Sequence, residues 1–153
     1  MVVVTDSQIS EFIKEQKILP KNFNPVLKPK NWQNQFEQIV QSKSGRTFKL
    51  IVRQSQVNPL DFSVIFGVMI NGKLFRLRRY NGDSHEHTNK IERNKMDGFH
   101  IHKATERYQS IGFREDAYSE KTTKYSDWRT ALNAMISDNN FIMEVAKNQT
   151  RLL

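Results

Sequence analysis

The chain has 153 residues, the size of one ordinary domain, and contains no cysteine, which excludes disulfide bonds, thiolate metal sites, iron–sulfur clusters and a cysteine nucleophile. The sequence shows no signal peptide and no apolar run long enough for a membrane helix, so we expect a cytoplasmic protein with no membrane contact. The 24 Lys and Arg residues outnumber the 16 Asp and Glu residues, and the net charge of +8 indicates an anionic partner or a charge that only keeps the protein soluble.

The first 30 residues predict a helix followed by an extended connector. Thr5 and Gln8 have the spacing of a capping box, and apolar residues recur at helical intervals from Ile9. Residues 20–30 contain three prolines and no periodicity. Because proline restricts the backbone and lacks an N–H donor, this segment is expected to run extended over the surface.

The middle of the chain predicts β-hairpins. Residues 32–41 fit either a helix or a strand, but the turn sequence at 42–45 and the strand pattern at 47–52 produce a hairpin if residues 32–41 are extended. Residues 62–70 are apolar on both faces, as in a central strand. The dipeptide Asn71-Gly72 follows, and it is a strong hairpin signal because both residues tolerate a positive φ angle.

The returning strand, which ends at a second Asn-Gly pair, has two different faces. By alternation Phe75 and Leu77 share one face, while Arg76, Arg78 and Tyr80 share the other. We therefore expect the two arginines and the tyrosine to lie together on a polar surface.

Residues 85–97 form a polar segment that we interpret as a loop of functional length. The sequence Phe-His-Ile-His-Lys at 99–103 then alternates as a strand. Its two apolar residues are expected to point inward, which leaves His100 and His102 on the solvent-exposed face.

The last part of the chain predicts a helix between shorter elements. Residues 111–113 fit a short strand, and a helix capped by Ser126 or Asp127 follows. Residues 138–140 break this helix, and residues 141–146 fit a final helix or strand.

These elements predict an α+β fold in a single domain over residues 1–153. Residues 1–30 would form the N-terminal helix and the proline-containing connector, and residues 31–153 the core of sheet and helix. We expect an antiparallel sheet of four or five strands, with the N-terminal and C-terminal helices packed on one face. Trp32 and Trp128 are expected to anchor the core.

All four histidines fall between positions 85 and 102, as the pairs His85/His87 and His100/His102. Two residues of a strand that are two apart share one face, so two imidazoles can converge on one ligand. Imidazole can accept or donate a proton near neutral pH, which makes His100, His102 and His85 candidates for general acid–base catalysis of phosphodiester cleavage.

Two other interpretations of these histidines remain open. With Asp83 or Glu86 they could bind a transition metal, or they could have a structural or simple binding role. We predict that no metal is bound, because one histidine pair in a loop and one in a strand do not make a closed metal site. We also predict no cofactor, since the sequence has no phosphate-binding loop, dinucleotide motif or metalloprotease motif.

A set of basic, aromatic and amide side chains predicts a surface for phosphate groups. Arginine and lysine neutralise phosphates, and aromatic rings stack on bases. The nucleic-acid-binding candidates are Arg76, Arg78, Tyr80, Asn89, Lys103 and Arg107, and the wider basic-aromatic set adds Arg79 and Tyr108. A solvated sheet face with no ligand would have the same composition.

Four segments resemble a small family of unknown function found in bacteria and their mobile elements, which is similar in layout to small toxins of toxin–antitoxin pairs. They are Ser42-Lys43-Ser44-Gly45, Leu74-Phe75-Arg76-Leu77, Asn81-Gly82-x-x-His85-x-x-x-Asn89 and Gly98-Phe99-His100-Ile101-His102. The resemblance covers residues 36–141. Because the family has no settled activity, the resemblance supports the fold and the position of the site more than any particular reaction. Residues 90–97 depart from the family pattern, and residues 1–30 have no counterpart in it.

Together these observations predict a small basic toxin or defence-associated protein directed at RNA, in preference to DNA, and acting as a metal-independent ribonuclease. A toxin of this kind would have a cognate antitoxin. The alternative is a non-enzymatic inhibitor from a phage or mobile element that binds a host ribonucleoprotein or defence protein through its charge. The two interpretations differ in whether the imidazoles are needed for activity.

Overall fold

The computed structural model describes residues 2–144 and shows an α+β fold. Within these residues there are three helices, α1 to α3, at Asp6–Lys14, Glu106–Ser110 and Trp128–Asp138. The strands β1 to β11 are Lys17–Leu19, Lys28–Lys30, Gln33–Ser42, Thr47–Ser55, Phe62–Ile70, Lys73–Asn81, His87–Asn89, Asn94–Met96, His100–Lys103, Tyr118–Lys121 and Phe141–Met143. No helix in this part of the chain is both long and apolar enough to cross a membrane.

The two longer helices begin at reciprocal caps. The Thr5 side chain accepts a hydrogen bond from the Gln8 backbone N–H, and the Gln8 side chain accepts one from the Thr5 N–H. Asp127 and Thr130 form the same arrangement at the start of α3. Each pair satisfies backbone donors that a helix start leaves unpaired. Both predicted helices are present, but the first was expected to extend to the proline at position 20, whereas α1 ends at Lys14 and residues 17–19 form β1.

Nine strands form one sheet, in the order β10-β9-β6-β5-β4-β3-β1-β11, with β2 also paired to β3. All neighbouring pairs are antiparallel except β1 and β11. The α+β prediction is confirmed, but the sheet is larger than the four or five strands expected. The additional strands are three or four residues long, too short for alternation to show in the sequence.

Several local predictions can be compared with the strands directly. Residues 32–41, for which the sequence allowed either a helix or a strand, lie mostly in β3. The turn at Asn71-Gly72 has φ angles of 50° and 77°, the positive values that this type of hairpin turn requires. The predicted strand at 111–113 is wrong, because these residues form the turn that ends α2. Phe141–Met143 is a strand, while residues 145 and 146 lie outside the described residues.

An irregularity in the β5–β6 pairing changes which residues of β6 share a face. Arg78 is opposite Phe66 and Arg76 is opposite Gly67, so one extra residue, Leu77, is inserted between them. A Cβ atom at Gly67 would lie 2.2 Å from the Phe75 carbonyl oxygen, so only glycine fits there. Paired residues share a face, so Arg76 and Arg78 point to opposite sides, and the prediction that they share one is wrong.

The hydrophobic core lies between the helices and one face of the sheet, which we call the helix face. Residues of α1 and α3 pack there in one cluster with inward residues of β3 to β6 and β9. Tyr80 belongs to this core and is fully buried, so its predicted position on a polar surface is wrong. Trp128 packs against the core, but Trp32 is 90% exposed at the β2–β3 turn and does not anchor it.

A lysine lies inside this core. Lys17 has no exposed surface, and its ammonium donates hydrogen bonds of 2.8–2.9 Å to the carbonyl oxygens of Ile13, Glu15 and Asn139. It also lies 5.0–5.5 Å from the ring centroids of Phe48, Phe66 and Phe141. Burial lowers the pKa of Lys17 to about 8, against the opposing effect of the Glu15 carboxylate.

The lowered pKa of Lys17 predicts a stability that rises with pH. Between about pH 8 and the ordinary lysine pKa of about 10.4, the unfolded chain binds more protons at Lys17 than the folded chain, so the free energy of unfolding increases with pH. We expect Lys17→Met to abolish the rise between pH 8 and pH 10 in urea titrations. The same change at exposed Lys43 should leave it intact, and an equal rise in both variants would contradict the assignment.

Candidate functional site

The residues predicted as one site lie on two faces of the sheet. His100 pairs with Asn81 and His102 with Arg79, so both histidines point to the face opposite the helices, which we call the open face. The neighbouring pairs join Arg78 to Lys103 and Tyr80 to Ile101, and these side chains point to the helix face. Arg78, Tyr80 and Lys103 are therefore separated from the histidines by the thickness of the sheet.

His100 and His102 are buried, each with 3% exposure, so their predicted position on a solvent-exposed surface is wrong. Their direction away from the apolar core was predicted correctly, since Ile101 between them belongs to the core. The β7–β8 hairpin and residues 114–117 cover this part of the open face. These segments bury the two histidines, and the alternation of polar and apolar residues along β9 gives no information about them.

Three imidazoles meet under this cover. The ring centroids of His87, His100 and His102 are 4.6–5.8 Å apart, with His87 and His102 the closest pair. His87 comes from β7 and the other two from β9. His85, at the start of the hairpin, is exposed and lines the rim of the same pocket.

Backbone carbonyls orient the two buried imidazoles of β9. Nδ1 of His100 lies 2.9 Å from the Gly98 oxygen, and Nδ1 of His102 lies 2.8 Å from the Asp116 oxygen. Because a carbonyl oxygen only accepts hydrogen bonds, both Nδ1 atoms carry the proton. In each neutral ring the lone pair then lies on Nε2.

The side chain of Asn89 links the histidine cluster to β10 through hydrogen bonds. Its side-chain amide donates to the Ser119 oxygen at 2.8 Å and accepts from the Ser119 N–H at 2.9 Å, which fixes the orientation of the amide. The Asn89 oxygen then faces Nε2 of His87 at 3.0 Å, so His87 donates to it. Asn89 is 1% exposed, and the amide that was predicted to bind phosphate is occupied within the protein.

The buried histidines are neutral near pH 7. Burial lowers the pKa of His102 to about 2, and the positive charge of Arg79 adds to this effect. Burial also lowers the pKa of His100, although its hydrogen bond to the Gly98 carbonyl opposes the shift. A neutral imidazole can accept a proton, but only the protonated imidazolium acts as a general acid. His102 therefore cannot be the acid of a reaction at neutral pH.

A pocket of about 320 Å³ opens beside the imidazoles, and its lining combines Arg79 of the wider basic-aromatic set with Arg114 and Asp116, which the sequence prediction did not select. Arg79 donates to the Asp116 carboxylate at 3.0 Å, and Arg114 lies 3.5 Å from the other carboxylate oxygen. That second oxygen is buried and accepts no hydrogen bond within residues 2–144. Asp116 lies in a turn and has no motif around it, so no signal in the sequence could have identified it.

The imidazole geometry does not form a metal site. Across residues 2–144 no group of three or more His, Asp or Glu side chains is placed to hold a metal ion. The rings of His87 and His100 are stacked with only 14° between their planes. Imidazole lone pairs lie in the ring plane, so stacked rings do not direct them at one common point. The absence of bound metal stays a prediction.

The two remaining predicted phosphate ligands, Arg76 and Arg107, are paired with carboxylates. The Arg76 backbone N–H and guanidinium both contact Glu115, and Arg107 forms an ion pair with Glu92 while its guanidinium covers the Tyr118 ring. These arginines lie apart from the pocket, whose lining does not include them.

The buried position of His102 predicts a stability cost that an exposed histidine would not have. His102→Ala removes a ring packed among imidazoles and leaves the Asp116 carbonyl without a donor, so we expect it to lower the free energy of unfolding by about 1–3 kcal/mol. His85→Ala should cost less than about 0.5 kcal/mol. Urea unfolding midpoints measure both, and equal stability of the two variants would contradict the burial.

Comparisons of this chain with models of protein families, with curated proteins and with solved structures find no match in any of the three. The resemblance carried by the four sequence segments therefore stays a prediction.

Proposed function

We propose that the chain is an RNA-directed protein that cleaves phosphodiester bonds in the histidine pocket without a metal ion. The observation that carries this proposal is the neutral imidazole of His100. Its Nδ1 is held by the Gly98 carbonyl, and its Nε2 has no hydrogen-bond partner within residues 2–144. An oriented ring with a free lone pair beside an open pocket has the requirements of a general base.

In this proposal His100 removes the proton from the ribose 2′-hydroxyl. The oxygen then attacks the neighbouring phosphorus, and the bond from phosphorus to the 5′ oxygen breaks. His85 gives a proton to the leaving oxygen, because it is the exposed imidazole at the rim of the same pocket. The products are a 2′,3′-cyclic phosphate and a 5′-hydroxyl, so atoms and charge balance without a further reactant.

Arg79 and Arg114 are the candidates for binding the phosphate oxygens. Both line the pocket, and Asp116 lies between them. A guanidinium offers several N–H donors in one plane, so an arginine that contacts a carboxylate through one nitrogen keeps others for a ligand. Negative charge that develops on the phosphate would then face two cations.

The open face offers a path for a single strand of RNA to this pocket. The pairing registers place His100, Asn81, Ser63, Arg53, Gln35 and Lys28 in one row across six strands. With strands about 4.8 Å apart the row spans about 24 Å. Lys28 and Arg53 supply positive charge along it, and exposed Trp32 lies in the turn that joins β2 to β3.

The non-enzymatic inhibitor is a second candidate, favoured by a different observation. Trp32 and Val57 are 90% and 91% exposed. They lie at the same end of the sheet, where Gln56 donates a hydrogen bond to the Gln33 carbonyl. Exposed apolar side chains close together are typical of protein-binding surfaces. A chain that binds RNA or a ribonucleoprotein without cleaving it would match this candidate.

Cleavage is tested with a labelled single-stranded oligoribonucleotide in the presence of EDTA. We expect fragments that end in a 2′,3′-cyclic phosphate and no cleavage of the 2′-deoxy analogue, which lacks the nucleophile. His100→Gln should slow the reaction by at least about 100-fold, because it removes the proposed base.

Arg114→Gln should slow the same reaction, because it removes a proposed phosphate ligand. Arg129→Gln is the matched control: it removes an exposed guanidinium on α3 and should leave the rate unchanged. Intact RNA would overturn the ribonuclease proposal, and bound but uncleaved RNA would favour the inhibitor. Equal cleavage of the deoxy strand would exclude the 2′-hydroxyl mechanism.

Binding is tested separately with the uncleavable deoxy strand. Because phosphate contacts release counterions, we expect log affinity to fall linearly with log salt, with a slope of about −0.7 for each phosphate. Lys28→Gln and Arg53→Gln should each make the slope shallower by roughly this amount. Trp32→Ala should weaken binding by about 1–3 kcal/mol if a base stacks on the ring. A slope unchanged by both charge variants would contradict the proposed path.

A further inference from the structure

A second pocket, of about 300 Å³, opens on the helix face beside α3, on the opposite side of the sheet from the histidines. Four basic side chains and two carboxylates line it: Arg78, Lys103, Lys121, Lys124, Glu120 and Asp138. These six lining groups carry a formal charge of +2, the difference between four cations and two anions, and Lys121 also lies 3.6 Å from the exposed Asp97 carboxylate outside the lining. The function proposed above does not use this pocket.

The carboxylates are already paired, and one cation is not. Lys103 contacts Glu120 at 2.6 Å, and Lys124 contacts Asp138 at 3.1 Å. Arg78 forms no ion pair within residues 2–144, and its Nε atom is buried with no hydrogen-bond partner there. A buried donor without a partner is costly, and such groups in native proteins commonly mark the position of an ion or water.

The sheet register brings like charges together at this point. Arg78 and Lys103 are direct partners on β6 and β9, so their Cβ atoms are about 4.5–5.5 Å apart. Like charges directly opposite each other destabilise a sheet. The pair is tolerated more readily if an anion lies between them.

Hydrogen bonds hold the side chains at the base of the pocket. Tyr80 is fully buried, and its hydroxyl donates to Asp138 at 2.7 Å while it accepts from the Asn139 side chain at 3.1 Å. Burial and the Asp138 carboxylate raise the pKa of Tyr80, so its hydroxyl stays protonated. Asp138, the carboxylate that α3 contributes to the pocket, therefore accepts hydrogen bonds from both Tyr80 and Lys124.

We propose that this pocket binds a phosphate monoester. A terminal phosphate carries about −1.5 to −2 charges at neutral pH, which matches the charge of the lining groups. The Arg78 fork and the Lys103 ammonium offer the donors that phosphate oxygens accept. The volume is at the lower limit of ligand pockets, and this suits a phosphate group with a small substituent. The phosphate belongs either to a small molecule or to the end of a nucleic acid strand.

Titration calorimetry at fixed ionic strength tests the proposal with inorganic phosphate, a nucleoside 5′-monophosphate and the unphosphorylated nucleoside. We expect the two phosphates to bind and the nucleoside not to bind. Arg78→Gln should weaken phosphate binding at least tenfold, and Lys121→Gln should weaken it by a smaller factor. Arg129→Gln is the matched control, because it removes an exposed guanidinium outside the pocket lining, and it should leave the affinity unchanged.

A deoxy oligonucleotide with and without a 5′-phosphate distinguishes the two sources of the phosphate. A preference for the phosphorylated strand that Arg78→Gln abolishes assigns the pocket to nucleic acid ends, and binding of the monophosphate alone assigns it to a small molecule. Phosphate affinity that is absent, or equal in wild type and Arg78→Gln, would overturn the proposal. Because these measurements need no cleavage, they are independent of the histidine pocket.

Discussion

The ammonium group of Lys17 lies where the C-terminal ends of α1 and α3 meet the sheet. Its three acceptors include carbonyl groups that helix ends leave unpaired, and both helix dipoles place partial negative charge there. Three phenylalanine rings surround it. One buried cation therefore holds both helices on a single face and joins β1 to the core. The opposite face is left free of α1 and α3, and it carries the histidine pocket.

Sequence reasoning succeeded where the signals are local. Capping residues, the Asn71-Gly72 turn and long alternating strands identify α1, α3 and the central hairpins. It failed for α2 and for strands of three or four residues, because such segments contain too few residues for a period to be recognised. The β6 faces were predicted incorrectly because one inserted residue, Leu77, exchanges the two sides. That insertion is visible only once β5 is paired with β6.

The candidate site was predicted in part. The histidines lie together, as their spacing indicated, and on the face away from Ile101. The sequence did not reveal that a hairpin from β7 and β8 covers them, or that Arg79, Arg114 and Asp116 complete the pocket, since these contacts join distant segments. Of the predicted basic residues, Arg78 and Lys103 lie on the opposite face of the sheet. A single predicted surface thus separates into two sites, one with neutral imidazoles and one with excess positive charge.

Asn89 has a consequence beyond the histidine cluster. Its carboxamide pairs with both backbone groups of Ser119, in the way that a neighbouring strand would pair with β10. β10 is the terminal strand of the sheet on that side, and terminal strands expose backbone groups that can recruit another chain. One side chain therefore occupies hydrogen-bonding positions through which strand addition between molecules would begin. The hairpin that covers the imidazoles also protects the sheet from edge-to-edge aggregation.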